Sequence, residues 1–308
     1  MIIYVIIFKN YGGQAAMRIN DIFDKKRFVF SFEIFPPKAT SSVNTIYKTL
    51  EALSDLRPDF ISVTYGAGGG SNQNKTKELS SLVKNKYGIE SVAHLTCIRS
   101  TKDEIREILN ELKSEGIENI LALRGDIPLD EEVKGDFKYA SDLTEFIREN
   151  GDFDIAGTCY PEGHIDGKSI EEDVKNLKHK IDAGVTHLIT QLFYDNNDFY
   201  NFLDLAKKYN INVPIEAGIM PLTNKKQIER IATLSGSKIP AKYHKIMDKF
   251  EHDTDALTDA GIAYATEQII DLIAMGVDGI HLYTMNNPYV ARKTHNSIIS
   301  VIHSVNRD

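Results

Sequence analysis

The sequence predicts an α/β fold, a single (β/α)8 TIM barrel with extra helices before the last strand, and three observations carry that prediction. Short apolar runs rich in Val, Ile, Phe and Thr recur from Phe28 onward, and stretches of helical period lie between them. The runs are apolar almost throughout instead of alternating, as parallel strands are when helices cover one face and a barrel core the other. Eight of them fit within 308 residues, and a barrel of about 250 residues readily takes insertions. The rival is an open doubly wound sheet, but no G-x-G-x-x-G follows the first strand, which disfavours a dinucleotide-binding domain of that kind.

In chain order the strands are expected over Phe28–Phe35, Asp59–Gly66, Ser91–Ile98, Asn119–Asp126, Asp154–Pro161, Thr186–Asp195, Val213–Pro221 and Gly279–Asn286. Charged helical stretches separate them, among them Thr101–Glu115, Ser169–Ala183 and Asn224–Leu234. Gly116 and Gly184 are placed to end two of these, since the residue after a helix often needs positive φ. Ile239–Phe250 and Asp255–Met275 are two further helical segments, read as an insertion before the last strand.

No linker or composition break marks a second domain, so residues 27–308 are expected to form one catalytic domain behind an extension, residues 1–26. The opening M-I-I-Y-V-I-I-F is shorter than the roughly 20 residues that span a bilayer, and it lacks a basic leader or cleavage site. Because barrel patterning begins only near Arg27, translation is expected to start at Met17; a short strand or barrel-bottom plug is the alternative for the residues before it.

The composition, 42% hydrophobic and 26% charged, is that of an ordinary globular protein with a sizeable core. A net charge of −8 without a long basic run argues against nucleic acid as a partner. Cys97 and Cys159 stand far apart with no C-x-x-C pair, so neither a disulfide framework nor a thiolate metal site is expected, and a cytoplasmic setting fits.

In a barrel the active site is built from strand C-terminal ends and the loops after them. Reading those positions gives Glu33, Thr64, Tyr65, His94, Arg124, Asp126, Tyr160, Gln191 and Tyr283. A polar group buried among apolar residues costs roughly 2–7 kcal/mol unless it is paired, so a ring of them points to a ligand. Glu33 lies in S-F-E-I-F-P-P, where apolar neighbours disfavour the carboxylate and keep a general acid protonated; an ion pair with a barrel Lys or Arg is the alternative.

Arg124-Gly125-Asp126 places a cation and an anion beside a glycine that lets a ligand approach the backbone, or else forms a turn with a surface ion pair. His94 reads most simply as a core histidine bonded to a backbone carbonyl. No His-x-His or H-E-x-x-H occurs, so no metal is expected. Asp173, Asn176 and Lys180 share one helical face, which suits a solvated surface or a nucleotide's ribose and phosphate. Gly66–Ser71 is a flexible loop without the Gly-Lys-Ser/Thr ending of a P-loop. No strand carries a Lys at its C-terminal end, which counts against a Schiff-base lyase or aldolase.

Eight segments in family order resemble the methylenetetrahydrofolate reductase family: S-F-E-I-F-P-P at 31–37, F-I-S-V-T-Y-G-A at 60–67, H-L-T-C at 94–97, A-L-R-G-D at 122–126, Y-A-S-D-L at 139–143, Y-P-E-G-H at 160–164, I-T-Q at 189–191 and H-L-Y-T-M-N at 281–286. The resemblance runs from about Phe28 to Asn286. It implies a flavin-dependent barrel with FAD as cofactor, NADH or NADPH as electron donor, and a folate as the small-molecule substrate, in a ping-pong cycle. It implies that Glu33 is the general acid, and that Asp126 lies near flavin N1 and the pterin and favours a cationic iminium. Gln191 becomes the pterin-orienting amide, with Gln227 and Tyr283 as further substrate contacts. Thr64, Tyr65, Ala67, His94, Leu123, Arg124, Gly125, Asp126, Tyr139, Ala140, Tyr160, His164, Asp173, Asn176, His179 and Lys180 match its flavin-binding positions.

Three residues depart from the family pattern. His179 stands where relatives carry Arg, which makes one phosphate contact weaker or pH-dependent. Ile231 replaces an aromatic Phe, and Asn287 an Arg that meets the folate tail. These changes touch donor and tail recognition and keep open a second reading, a flavin-binding subunit of a larger electron-transfer complex. A homo-oligomer is expected, and no membrane partner.

Overall fold

The computed structural model describes residues 17–37, 43–65, 70–126 and 135–307. The elements run α1 (Ile19–Lys25), β1 (Val29–Ile34), α2 (Val43–Ser54), β2 (Phe60–Val63), α3 (Gly70–Ser81, continued by a π turn over Leu82–Lys86), β3 (Glu90–Thr96), α4 (Lys102–Ser114), β4 (Asn119–Leu123), α5 (Ala140–Asn150), β5 (Asp154–Cys159), α6 (Ile170–Ala183), β6 (His187–Thr190), α7 (Asn196–Lys208), β7 (Ile215–Ile219), α8 (Lys225–Ser235), α9 (Ala241–Phe250), α10 (Thr254–Ala274), β8 (Gly279–Tyr283) and α11 (Pro288–Val305). The strands pair in parallel, in sequence order, and β1 closes on β8 with Val29 opposite Gly279 and Glu33 opposite Tyr283. The fold is the expected closed (β/α)8 barrel with extra helices before β8. The expected pair of inserted helices is corrected: α10 packs against α7 and α11, and its Ala265, Ile269 and Leu272 join the outer core as a ring helix does, so the additional helices are α8 and α9. No helix among the described residues is long and apolar enough to cross a membrane.

Alternation along the strands sorts residues between two layers. Phe28, Phe30, Phe32 and Ile34 join the outer core, where buried Leu50, Leu109, Leu143, Leu177 and Ile298 from the helices meet the sheet. Val29 shares the inner layer's lower end with Phe60, Val92, Leu121, Ala156 and Ile189, and α1 seals it with Ile19 and Ile22. The first amides of this chain segment are held from the barrel itself: Met17, Ile19 and Asn20 donate to Glu90 Oε1 (3.1 Å), Asn119 Oδ1 (3.0 Å) and Asp154 Oδ2 (2.8 Å). Residues 17–25, from the expected start at Met17, are thus built into the barrel floor, while residues 1–16, for which a short strand or plug was the alternative, lie outside the described residues.

All eight expected strands are present, but most are shorter than expected at their C-terminal ends. The clearest correction is Thr186–Asp195, where pairing stops at Thr190. Leu192 and Tyr194 are apolar because they are buried in the cluster with α9, and Phe193 because it stacks on Phe199 of α7 in the main core, not because they belong to the sheet. Tyr264 Oη and Gln268 Nε2 on α10 donate to the carbonyls of Tyr194 (3.0 Å) and Phe193 (3.1 Å), so this helix braces the loop that follows β6. Close approach sets Gly261 in the same helix, since a Cβ there would fall 1.9 Å from the carbonyl oxygen of Leu222. Gly116 and Gly184 do end their helices at positive φ, 75° and 125°.

Candidate active site

The C-terminal mouth of the barrel opens into a cavity of about 1230 Å³, larger than the roughly 300–1,000 Å³ of most small-molecule sites. Every expected flavin-binding residue within the described set lines it: Thr64 and Tyr65 after β2, His94 in β3, Leu123 to Asp126 at the end of β4, Tyr139 and Ala140 opening α5, Tyr160 and His164 after β5, and Asp173, Asn176, His179 and Lys180 on α6. Ala67 lies outside the described residues. The α6 face that spacing alone could not assign thus turns to the cavity and not to open solvent.

Local structure holds these groups in place. Ser169 caps α6 by accepting from Glu172 N, and the acidic first turn faces the positive end of the helix dipole. Asp173 in that turn accepts from His164 N at 2.7 Å, which ties the β5 loop to the helix. The His164 ring packs edge-on to Tyr160 at 4.7 Å, and its Nδ1 accepts from Asp166 N. Lys180 donates to the Thr158 carbonyl at 3.1 Å, and burial lowers its pKa. Arg124 does not form a turn pair with Asp126; its guanidinium reaches Asp166 at 3.6 Å, and Asp126 is exposed at the cavity edge.

Glu33, Gln191, Gln227 and Tyr283 stand outside this cavity's lining. Glu33 is joined to it by His94, whose Nε2 lies 3.8 Å from Glu33 Oε2 and lines the cavity from the other side. The Glu33 side chain is only 20% exposed. Burial alone pushes its pKa up to about 8, and no Lys or Arg of the described residues pairs with it. The ion-pair alternative for Glu33 is therefore absent, and the carboxyl is held in its acid form near neutral pH.

Its backbone is fixed as well. Thr284 Oγ1 donates to the Glu33 carbonyl at 2.7 Å, and Asn286 bonds both the N–H and the C=O of Phe35. Met285 and Asn286 adopt φ of 51° and 55° to make this clamp, an uncommon conformation for residues other than glycine.

His94 departs from its plain expectation. Burial lowers its pKa to about 3, and its Nε2 has no hydrogen-bond partner among the described residues. The unpaired nitrogen lies on the side of the ring that meets Glu33, in a residue that also lines the cavity.

Tyr283 faces Glu33 across the β1–β8 ladder and donates its hydroxyl to the Thr190 carbonyl at 2.6 Å. That bond carries the site over to β6, where Gln191 follows directly and its Oε1 accepts from Leu192 N. Ile231 packs with Tyr283, Met220 and Leu222 in the apolar cluster beneath α9, whereas Gln227 is half-buried in the first turn of α8. Asn287 is committed to capping α11, accepting from Tyr289 N and Val290 N.

The chain matches the family model described as Methylenetetrahydrofolate reductase over residues 18–298. The chain belongs to the methylenetetrahydrofolate reductase family. It is 38% identical to the 5,10-methylenetetrahydrofolate reductase of Escherichia coli (strain K12) over 259 residues, 83% of this chain and 86% of that one. It is likewise 38% identical to the Pectobacterium carotovorum enzyme over 260 residues, 84% of this chain and 86% of that one. With Methylenetetrahydrofolate reductase (NADH) 1 of Arabidopsis thaliana it shares 36% identity over 284 residues, 87% of this chain and 48% of that longer one.

A solved Clostridium thermocellum protein, described as binding two copies of 5-methyl-5,6,7,8-tetrahydrofolic acid, superposes with a TM-score of 0.66 over 94% of this chain and 100% of its own; at 16% identity it shows the shared fold. As a methylenetetrahydrofolate reductase family member, the protein is an oxidoreductase that acts on methylenetetrahydrofolate.

Several site residues escaped the sequence reading. Thr96 and Thr158 line the cavity from the strands, and Ser141, Asp166 and Lys168 from the loops and helix starts. Below Glu33, Ser31, Ser62, Glu216 and His281 form a hydrogen-bonded group in the lumen. The signal was period two: Ser31 and Glu33, Ser62 and Thr64, His94 and Thr96, and His281 and Tyr283 each stand two apart on otherwise apolar strands.

Proposed function

We propose that the protein reduces 5,10-methylenetetrahydrofolate to 5-methyltetrahydrofolate with FAD held in the mouth cavity and a reduced nicotinamide, NADH or NADPH, as donor. The observation that carries this reading is the juxtaposition of a protonated carboxyl with that cavity, joined through His94. The cavity's chemistry fits FAD: cationic Arg124 and Lys180 suit a diphosphate, and Asp173 and Asn176 suit ribose hydroxyls. When bound, FAD supplies the hydride transfer that no side chain here can perform.

The chain's own residues set up the folate. Glu33 delivers its proton to N10 and so opens the five-membered ring, which leaves an electrophilic methylene iminium on N5. Asp126 lends negative charge to that cation. Gln191, set by its backbone bond to the Cys159 carbonyl (2.7 Å), orients the pterin, with Tyr283 and Gln227 as further contacts. The Tyr283 phenol stays neutral, because burial and the nearby Glu33 raise its pKa well above the usual value.

The test separates the half-reactions. Purified protein should show a flavin spectrum that NADH or NADPH bleaches and methylenetetrahydrofolate restores. Glu33→Gln should keep the first step and lose the second by about 10²–10⁴-fold, the usual worth of a general acid. Undiminished folate turnover in that variant defeats the assignment. A flavin that binds but resists both nicotinamides would favour the electron-transfer subunit that Ile231 and Asn287 keep in view.

A further inference from the structure

The barrel lumen holds a second carboxyl for which the folate chemistry has no use. Glu216 of β7 is fully buried opposite Gly279, and its Oε2 finds no hydrogen-bond partner among the described residues. Burial raises its pKa well above the carboxylate range, so it is a neutral acid; with Ser31 donating to Oε1, the acid proton belongs on Oε2, the oxygen without a partner. A buried carboxyl with an idle oxygen works against stability, and an apolar side chain of similar size would fill the same space. Its single side-chain bond runs towards the active site.

Ser31 Oγ lies 2.7 Å from Glu216 Oε1 and 2.6 Å from His281 Nδ1. On its other side, His281 Nε2 lies 3.1 Å from Ser62 Oγ and 4.0 Å from Glu33 Oε2. A serine hydroxyl has one proton to give. If Ser31 donates it to Glu216, the short Ser31–His281 contact requires the ring proton on Nδ1, and Nε2 becomes the acceptor for Ser62. This tautomer is assigned from the hydrogen-bond network.

We propose that Glu216 is a positioning residue for the acid: through Ser31 it holds His281 in the Nδ1–H tautomer, so that a lone pair, and not an N–H, faces Glu33. The inference rests on the role of Glu33 under the proposed function. A lone pair facing the carboxyl disfavours the carboxylate and helps Glu33 keep its proton until the folate needs it. Without Glu216, Ser31 is free to donate to Nδ1, the ring proton moves to Nε2, and the N–H facing Oε2 stabilises the carboxylate instead. The other groups facing this chain stay as they are: His94 and Tyr283 beside Glu33, His94 and His187 around His281, and Asp59 and Asp278 near Glu216.

Two measurements on the flavin-loaded protein test the proposal. Long-range ¹H–¹⁵N NMR of labelled histidine reads the tautomer without any folate. His281 should be Nδ1–H in the native protein and in Glu216→Gln, whose amide oxygen accepts the same bond, and Nε2–H in Glu216→Leu. The pH profile of the folate half-reaction should then move down by about one unit in Glu216→Leu, with its rate above neutrality falling about tenfold, and should be restored in Glu216→Gln.

Ser31→Ala cuts the same link and should behave as Glu216→Leu does; it decides the matter if the leucine variant does not fold. A native Nε2–H tautomer, or an unmoved pH profile in the cut variants, overturns the proposal. Failure of Glu33 as the acid would show differently, as an active Glu33→Gln variant with the His281 tautomer still obeying Glu216.

Discussion

The two ends of this barrel are made by the same eight strands and use their polar groups differently, the floor to hold the backbone that enters it and the mouth to line a cavity. At the floor, α1 buries Ile19 and Ile22 against the inner layer, and side chains of Glu90, Asn119 and Asp154 satisfy the amides that enter the helix. At the mouth, Glu33 is a carboxyl without a cation, His94 keeps an orphaned nitrogen, and Met285 and Asn286 hold an uncommon backbone conformation. The floor is not fully satisfied, since Ser91 Oγ and His187 Nε2 there have no partner among the described residues, but its acidic and amide side chains serve the chain's own backbone. Leaving groups unsatisfied at the mouth costs stability, and the same groups are what a folate and a flavin would meet.

Mutations should separate the two ends. The largest effect belongs to Glu33→Gln, in which the folate half-reaction falls by about 10²–10⁴-fold while thermal unfolding moves little. Next is Ile19→Ala at the floor, expected to lose about 2–4 kcal/mol in denaturant unfolding with turnover per folded molecule unchanged. Turnover lost in proportion to stability would join the two ends and break the comparison. Lys180→Met should raise the Kd for FAD roughly tenfold or more, as loss of a charge-assisted contact does, without lowering the unfolding midpoint. Fluorescence titration of the flavin measures it, and an unchanged Kd would take Lys180 out of the cofactor site.

The smallest effect concerns pH. The folded-state pKa of Glu33, about 8, lies above its unfolded value, so its contribution is fully present below about pH 4.5 and is lost as pH rises through 8. His94 and His281, lowered to about 3, act in the opposite sense, with stability lost as pH falls from about 6.5 towards 3. Between about pH 6.5 and 8 the buried carboxyls dominate, Glu33 together with Glu216, whose pKa burial also raises. Unfolding of the flavin-free protein should therefore weaken there with a Glu33 share of at most about 1.4 kcal/mol per pH unit. Glu33→Gln should flatten that decline, and a parallel slope in the variant would place the cause elsewhere.

Much of the architecture was legible in sequence because it rests on periodicity. Strand positions, the Gly116 and Gly184 helix ends and the presence of extra helices before β8 all follow from local pattern and backbone sterics, although which of those helices belongs to the barrel ring does not. The apolar run Thr186–Asp195 misled, since Leu192 and Tyr194 are buried by helices distant in sequence and Phe193 by Phe199 of α7, and a hydropathy pattern does not say what does the burying. On the site, polar residues at strand ends were readable one by one, and the resemblance supplied their cofactor roles. Glu216 and His281 were not, because neither sits at a strand's C-terminal end.

By itself the sequence determined that strands and helices alternate, which residues of each strand share a face, and that Glu33 would have an apolar neighbourhood. Only the closed barrel decided which of those faces meet. Parallel pairing of β1 with β8 sets Glu33 opposite Tyr283 and brings Ser31 to His281, residues some 250 positions apart. Alternation along a strand is a property of its own backbone, whereas desolvation and hydrogen-bond partners depend on what other strands place in the lumen. That is why Glu33 stood out as a candidate acid in the sequence, while the choice between an isolated carboxyl and an ion pair with Lys or Arg waited for the structure.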